Sequence, residues 1–229
     1  MTRLVFQLFC LSLIFFLGVA LTDNHDSCPQ WAASGECDNN PGYMLNNCAK
    51  SCDQIAKQAL NDAKELEGIE SFFDLEAKDI HGKIVNFSQF KGQVTLVVNV
   101  ASECGYTDSH YRSLVKLYKE IDSAPINIMA FPCNQFGKQE PGTADEILEF
   151  VEEEYGVEFT MMEKVDVNGP NASIVYKFLK SKAGPSTITW NFATYFVIAP
   201  DGSVESHSGV EPLELKDQLF TLAKSGDEL

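Results

Sequence analysis

Residues 94–107, VTLVVNVASECGYT, decide the fold that we expect for this chain. Residues 94–101 form an almost continuous apolar run, which is typical of a strand buried on both faces of a sheet. The run ends in polar residues around Cys104, and residues 107–121 then place apolar side chains on one face of a helix. The stretch predicts a buried strand, a loop that carries a cysteine, and a helix that Thr107 is expected to cap.

Strand and helix patterns alternate through residues 69–224. In chain order we expect a hairpin at residues 71–75 and 83–87 and a second buried strand at 126–131. Two helices at 143–155 and 172–181 follow. A second hairpin at 192–198 and 204–207 and a last helix at 213–224 complete the pattern. Thr143 followed by Glu146 predicts a capping box at the start of the first of these helices. Strand–helix–strand followed by a hairpin and a helix is the thioredoxin-type order. The predicted fold class is therefore α/β, a thioredoxin-like fold with a central mixed sheet flanked by helices.

The composition limits the partners of the chain. Its 229 residues include 33 acidic and 17 basic side chains, which give a formal net charge of −16. Such an acidic surface argues against nucleic acid or an anionic membrane as a partner. The four histidines show no spacing typical of metal ligands, so we expect no metal, and we expect His110 to lie at the surface. The other three are His25, His81 and His207.

Both ends of the chain carry patterns of the secretory pathway. Residues 1–20 combine one basic residue, a long apolar run and small residues before a cleavage point, which predicts a cleaved signal peptide. An uncleaved membrane anchor is the alternative, since the run approaches the roughly 20 apolar residues that a span needs. The tail SGDEL, residues 225–229, is similar to a K-D-E-L-type retrieval signal, so we expect the ER lumen, with secretion as the alternative. Asn86 and Asn171 are candidate glycosylation sites because each begins an Asn-x-Ser triplet.

Four cysteines lie close together in residues 28–52, CPQWAASGECDNNPGYMLNNCAKSC. At this density a secretory compartment favours disulfide bonds, while zinc is the competing hypothesis and is weakened by the lack of a histidine in the segment. The segment resembles a ShK-toxin-like (ShKT) module that lacks the first and the last of the six family cysteines. The resemblance implies a small disulfide-rich binding or accessory module with the bonds Cys28–Cys48 and Cys37–Cys52.

Cys104 is a candidate nucleophile because of its position. Reactive groups gather at the carboxyl ends of strands in open α/β sheets, and a helix N-terminus lowers the pKa of a nearby thiol. The thiolate is the nucleophilic form of cysteine, although a buried bystander thiol is the competing interpretation. Thr107 stands where a dithiol isomerase has its second cysteine, which argues against that class of enzyme.

Three blocks carry a family resemblance: NVASECGYT at 99–107, FPCNQFGKQEP at 131–141 and WNF at 190–192. Over residues 69–222 the chain resembles the glutathione peroxidase family in its cysteine-type, ER-lumenal-like form. The resemblance implies a peroxidase without a cofactor, which reduces hydrogen peroxide or organic and lipid hydroperoxides through a sulfenic acid. It also implies a catalytic tetrad whose amide and indole donors stabilise a thiolate, namely Cys104, Gln139, Trp190 and Asn191.

The thiol that resolves the sulfenic acid is left open by the resemblance. Relatives that depend on thioredoxin place a resolving cysteine in the helix after the Gln-Glu-Pro block, and residues 143–155 contain none. Cys133 either resolves Cys104 through a disulfide or is a structural residue of its loop. Glutathione, a thioredoxin-like protein or a protein disulfide isomerase is the alternative reducing co-substrate. The insertion of tetrameric relatives before Trp190 is missing, which implies a monomer.

These patterns divide the chain into five parts. They are a signal peptide (1–20), the ShKT-like module (28–52) and a connector with apolar residues at near-helical spacing (53–68). A glutathione peroxidase-like domain (69–224) and a retrieval-like tail (225–229) follow. The leading hypothesis is a thiol peroxidase of the ER lumen. The alternative is a non-enzymatic ShKT binding protein with a redox-silent thioredoxin fold.

Overall fold

The computed structural model describes residues 20–121, 124–185 and 187–226. The predicted signal peptide lies outside the described residues except for its last position, and so do residues 227–229 of the retrieval-like tail. Within the described ranges, no helix is both long enough and apolar enough to cross a membrane.

Four helices and two disulfide bonds form the N-terminal module: α1 (Cys28–Ala33), α2 (Glu36–Asn39), α3 (Pro41–Asn47) and α4 (Ala49–Glu65). The bonds join Cys28 to Cys48 and Cys37 to Cys52, which confirms the predicted pairing. Ala32 and Met44 pack against these cysteines in a small core. The predicted connector is helical, but it is the continuation of α4, which begins inside the module.

A buried lysine joins α4 to the rest of the protein. Lys177 lies on α7 (Ile174–Ala183), and its side chain is only 2% exposed. Its ammonium nitrogen lies 2.7 Å from Glu65 Oε2 and 3.2 Å from Asp62 Oδ1, both on α4. Because a buried ammonium is costly without partners, these ion pairs fix the C-terminal end of α4 against the larger domain.

The larger domain is built on a five-stranded sheet. Its elements in chain order are β1 (Glu76–Lys78), β2 (Ile84–Asn86), β3 (Val94–Val100), α5 (Thr107–Glu120), β4 (Ile126–Pro132), α6 (Ala144–Tyr155), β5 (Thr160–Met161), α7, β6 (Thr194–Ile198), β7 (Val204–Ser208) and α8 (Lys216–Gly226). The strand order is β5–β4–β3–β6–β7, and β1 pairs separately with β2. β3 runs parallel to β4 and antiparallel to β6. The predicted mixed sheet flanked by helices is confirmed.

Two apolar cores cover the two faces of the sheet. Alternate residues of β3, such as Leu96 and Val98, pack with α5, α6 and α8, whereas Val97 between them packs with α7 and with Phe72. All seven residues of β3 are buried, as its apolar run predicted. Since β3 and β4 are parallel neighbours, their carboxyl ends meet at one edge of the sheet, where the loop to α5 and the loop to α6 both begin.

The predicted strand over residues 71–75 is wrong. Phe72–Asp74 instead form a 3₁₀ turn, and the strand begins at Glu76. The cause is local, because the Asp74 carboxylate accepts the backbone N–H of Ser71 at 2.8 Å while the Ser71 hydroxyl accepts that of Phe73 at 3.3 Å. This capping box competes with an extended conformation.

Other boundaries differ by a few residues. The predicted capping box of Thr143 and Glu146 is confirmed and starts α6. The helix predicted over 172–181 begins at Ile174 because Ser173 caps it, and the helix predicted over 213–224 is a 3₁₀ turn, Pro212–Leu215, followed by α8. The two-residue strand β5 escaped prediction, since so short an edge strand leaves no periodic pattern.

Candidate active site

Cys104 lies in the loop between β3 and α5, at the carboxyl end of the sheet, and is 7% exposed. The hydroxyl of Thr107 holds this loop from inside. It accepts the backbone N–H of Cys104 at 3.0 Å and donates to the carbonyl oxygen of Ala101 at 2.7 Å. Thr107 is therefore not the helix cap that we predicted, because it is the first residue of α5 and its hydroxyl is used to close the cysteine turn.

Gln139 reaches the same edge from the loop that follows β4. Its backbone carbonyl accepts the N–H of Glu103 at 2.9 Å, which joins its loop to that of Cys104. Gly137 has a φ of +62°, and a Cβ there would lie 3.3 Å from Gln139 Cγ, so glycine allows the loop to turn tightly around the glutamine. The buried Oε1 of Gln139 has no hydrogen-bond partner among the described residues.

Trp190 and Asn191 come from the segment before β6, and Asn99 on β3 holds them in place. Asn99 Nδ2 donates to Asn191 Oδ1 at 3.1 Å and to the Trp190 carbonyl at 3.3 Å, while Asn99 O accepts the N–H of Phe192 at 2.8 Å. Asn191 is fully buried, and its Nδ2 has no partner in the described part of the chain. Trp190 is 38% exposed, and its ring centroid lies 5.8 Å from that of Phe136 in the Gln139 loop.

The structure thus brings the loops of all four predicted residues to one edge of the sheet. The two unpartnered amide atoms at this edge differ in kind: Asn191 Nδ2 is a donor that is free to bond to a negatively charged sulfur or oxygen, whereas Gln139 Oε1 is an acceptor. The Asn191 amide is neutral, so its N–H donor stabilises negative charge without adding a cation. The positioning role of Asn99 escaped the sequence analysis, although a polar residue within an otherwise apolar buried strand was the available signal.

Cys133 lies on the other side of the sheet. Its side chain is fully buried in the core that contains Met129 and Phe131, whereas Cys104 belongs to the opposite core. Burial raises the pKa of the Cys133 thiol to about 11. A protonated, buried thiol is a poor nucleophile, so this arrangement favours the structural alternative for Cys133.

His110 is buried, and our prediction that it lies at the surface is wrong. It is 6% exposed on α5, its Nδ1 lies 2.6 Å from the Tyr195 hydroxyl, and its Nε2 lies 3.5 Å from a carboxylate oxygen of Glu211. Burial lowers the pKa of its imidazole. The prediction failed because the polar partner of His110 comes from β6, which is distant in sequence.

The remaining candidate residues lie away from this edge. Asn86 and Asn171 are both exposed, and Asn86 accepts the N–H of Ser88 at 3.0 Å. Across the described ranges, no group of three or more His, Cys, Asp or Glu side chains is arranged to hold a metal ion.

Comparison with known families gives two matches. Residues 72–180 match the family described as Glutathione peroxidase, and residues 22–54 match the family described as ShK domain-like. The first range contains Cys104 and Gln139, and the second contains both disulfide bonds.

Curated relatives cover most of the larger domain. Glutathione peroxidase-like peroxiredoxin 2 of Saccharomyces cerevisiae is 45% identical over 157 residues, which are 66% of this chain and 96% of that protein. Glutathione peroxidase 7 of Homo sapiens is 47% identical over 135 residues, 59% of this chain and 71% of that protein. A probable phospholipid hydroperoxide glutathione peroxidase of Mesembryanthemum crystallinum is 49% identical over 137 residues, 58% of this chain and 80% of that protein.

Solved structures agree with the sequence relatives. Trgpx in its apo form superimposes with a TM-score of 0.56 at 35% identity, covering 69% of this chain and 97% of that one. T. cruzi GPX1 superimposes with a TM-score of 0.56 at 31% identity, covering 68% and 97%. The shared fold, the extent of the identity and the loops gathered around Cys104 lead to one conclusion: this chain belongs to the glutathione peroxidase family and carries a ShK-like module at its N-terminal side.

Proposed function

We propose that this protein is a thiol-dependent peroxidase in which Cys104 reduces hydrogen peroxide or an organic hydroperoxide. The observation that carries the proposal is the placement of a buried cysteine, at the carboxyl end of β3, beside the Gln139 loop and beside Asn191, whose buried Nδ2 donor has no partner among the described residues. A neutral N–H donor of this kind suits a reaction in which negative charge moves from sulfur to oxygen.

The reaction follows from the chemistry of the thiolate. The Cys104 sulfur attacks one peroxide oxygen, the S–O bond forms as the O–O bond breaks, and the leaving hydroxide or alkoxide takes up a proton. One peroxide oxygen leaves in water or an alcohol, and the other stays on the Cys104 sulfur as a sulfenic acid. Cys104 is thereby oxidised by two electrons. A thiol then condenses with the sulfenic acid to give a disulfide and water, and a second thiol releases Cys104 by exchange.

We propose that the reductant approaches past Trp190. A groove of about 540 Å³ begins at this side chain and at Tyr106, which is 53% exposed, and its lining includes Glu211 and Glu214 but no lysine or arginine. Anionic glutathione gains no charge pairing there. This favours a protein thiol, such as that of a thioredoxin-like protein or a disulfide isomerase, over glutathione, while the burial of Cys133 in the opposite core argues against that thiol.

The secretory pathway, and within it the ER lumen, is the compartment that we propose. Support comes from the predicted signal peptide, the retrieval-like tail and the two disulfide bonds of the module, since structural disulfides form in oxidising compartments. The exposed side chains of Asn86 and Asn171 are accessible to glycosylation there.

Peroxide consumption by the full chain tests the proposed activity. Turnover is measured with glutathione, thioredoxin and a protein disulfide isomerase as reductants, for the wild type, Cys104→Ser and Cys133→Ala. We expect Cys104→Ser to lose peroxide consumption with every reductant and Cys133→Ala to keep it. Full activity of Cys104→Ser refutes the proposal, and a wild-type Cys104 that does not react with peroxide supports the non-enzymatic alternative. If Cys104 of Cys133→Ala is oxidised once at the normal rate but the variant then fails to turn over, Cys133 is the resolving thiol.

A further inference from the structure

Glu140, the residue after Gln139, is a fully buried carboxyl that the tetrad does not use. Its Oε1 accepts the Ser102 hydroxyl at 2.8 Å, and its backbone N–H donates to Asn134 Oδ1 at 2.9 Å. Its second oxygen, Oε2, is buried without a hydrogen-bond partner among the described residues. The Glu140 carboxyl therefore has one hydrogen-bond partner among the described residues, the Ser102 hydroxyl.

Such a group is costly to keep in a protein interior. The ammonium of Lys164 bonds to the backbone oxygen of Glu140, at 3.0 Å, and not to its carboxylate. Burial raises the pKa of Glu140 to about 7, and the hydrogen bond from Ser102 opposes this rise. The titratable groups that interact with this carboxyl through their charges are Glu103, Tyr111, Cys133 and Lys164. An apolar side chain would avoid the cost of desolvation, so the carboxyl must be explained by its contact.

That contact joins the two loops on which the chemistry depends. Ser102 lies two residues before Cys104, and Glu140 lies next to Gln139. Within the described residues, two hydrogen bonds cross between these loops: the backbone bond from Glu103 to Gln139 and the side-chain bond from Ser102 to Glu140.

We propose that Glu140 is a positioning residue, whose carboxyl accepts the Ser102 hydroxyl and so holds the loop of Cys104 in a fixed place relative to Gln139. The inference rests on the proposed function, because the relative position matters only if the Cys104 thiolate attacks a peroxide beside the Gln139 amide. Thr107 fixes the Cys104 turn internally but does not reach the Gln139 loop. A displacement of about 1 Å in a reacting centre lowers rates by as much as about 100-fold.

The chemistry of the acceptor allows a discriminating set of variants. A carboxylate, a neutral carboxylic acid and an amide each offer an oxygen that accepts a hydrogen bond. Glu140→Gln therefore keeps the contact, whereas Glu140→Leu and Ser102→Ala remove it from either side. Ser109→Ala is a matched control, because the Ser109 hydroxyl on α5 donates to the carbonyl of Tyr106, the residue just before that helix, and joins no loops.

The experiment measures the second-order rate constant for oxidation of Cys104 by hydrogen peroxide in each full-length variant, in stopped flow. Iodoacetamide alkylation of Cys104, followed by mass spectrometry, is measured in parallel, since it needs a thiolate but no peroxide alignment. We expect Ser102→Ala and Glu140→Leu to be slower with peroxide by about 10-fold or more, and the double variant to be no slower than the slower single one. Glu140→Gln and Ser109→Ala should stay within about twofold of the wild type, and Ser102→Ala should be alkylated at the wild-type rate.

The outcomes separate this inference from the proposed function. A Ser102→Ala variant that reacts with peroxide as fast as the wild type overturns the inference, and so does a Glu140→Gln variant as slow as Glu140→Leu. If Glu140→Leu does not fold, Ser102→Ala and Glu140→Gln still decide the result. Peroxide consumption that persists in Cys104→Ser, measured alongside these rates, refutes the proposed function instead.

Discussion

Replacing the buried carboxyl of Glu140 by an amide should make the protein more stable above neutral pH. The carboxyl has a pKa of about 7 in the folded protein against an ordinary value of 4.5. Because the folded pKa is the higher one, the stabilising contribution of the protonated group is complete below pH 4.5 and is lost as the pH rises to about 7. The whole loss amounts to about 3 kcal/mol.

Glutamine does not titrate, so Glu140→Gln escapes this loss. Wild type and variant are compared by denaturant unfolding at pH 5.5 and pH 8.5, which avoids the isoelectric point near 4.5. At pH 5.5 the wild type has already lost about 1 kcal/mol of this contribution to its free energy of unfolding. Between pH 5.5 and pH 8.5 the free energy of unfolding of the variant should therefore rise by about 2 kcal/mol relative to that of the wild type. This difference does not depend on how well the amide fits, since any packing change is the same at both pH values.

Glu146→Gln is the matched control for this measurement. Its carboxylate is exposed and accepts the backbone N–H of Thr143 at 2.7 Å, and these hydrogen bonds hold its pKa below the ordinary value. Glu146 is therefore ionised at both pH values, and the difference between this variant and the wild type should be constant. A Glu140→Gln effect that is equally independent of pH would refute the reasoning that the buried carboxyl titrates near neutrality.

Three further predictions follow from the contacts around the site and the module. Thr107→Val should slow oxidation of Cys104 by peroxide about 10-fold and destabilise the protein by about 1–3 kcal/mol, because the Cys104 N–H and the Ala101 carbonyl lose their partner. Unchanged stopped-flow and unfolding data would contradict this. Iodoacetamide at pH 8 should label Cys104 but not Cys133 in the folded protein, because burial raises the pKa of Cys133 to about 11. After unfolding it should label both. Labelled Cys133 in mass spectra of native samples would contradict this. Lys177→Met should lower the free energy of unfolding by about 1–3 kcal/mol and increase protease cleavage within residues 53–68, since α4 loses its ion pairs with this buried ammonium. An unchanged cleavage rate would show that α4 is held by other contacts.

Local patterns were sufficient for most of the elements. The apolar run of β3 could only be satisfied by burial on both faces, and the Thr143 and Glu146 pair marked the start of α6 through hydrogen bonds made within one turn. The failed strand at residues 71–75 also has a local cause, since the Ser71 and Asp74 side chains bond to their own backbone and outweigh the apolar alternation.

Residues of the site were predicted where a motif marked them and missed where only tertiary contacts gave them a role. The four tetrad positions came from three blocks of sequence, and the fold brings their loops together at one sheet edge. Asn99 and Glu140 lie inside two of those blocks, but their partners Asn191 and Ser102 are 92 and 38 residues away. Their roles could not be inferred from neighbouring residues.

The sequence by itself determined the α/β order through its periodicity, and its family resemblances implied the two-disulfide module and Cys104 as the candidate nucleophile, because each depends on a local pattern or a contiguous motif. Only the tertiary structure decided which groups are buried and what they contact. It placed Cys133 on the opposite face of the sheet from Cys104, turned His110 inward to Tyr195, and left the Glu140 carboxyl with one hydroxyl partner. Desolvation and hydrogen bonding set the pKa and reactivity of these groups, and both depend on atoms that the fold brings from distant parts of the chain.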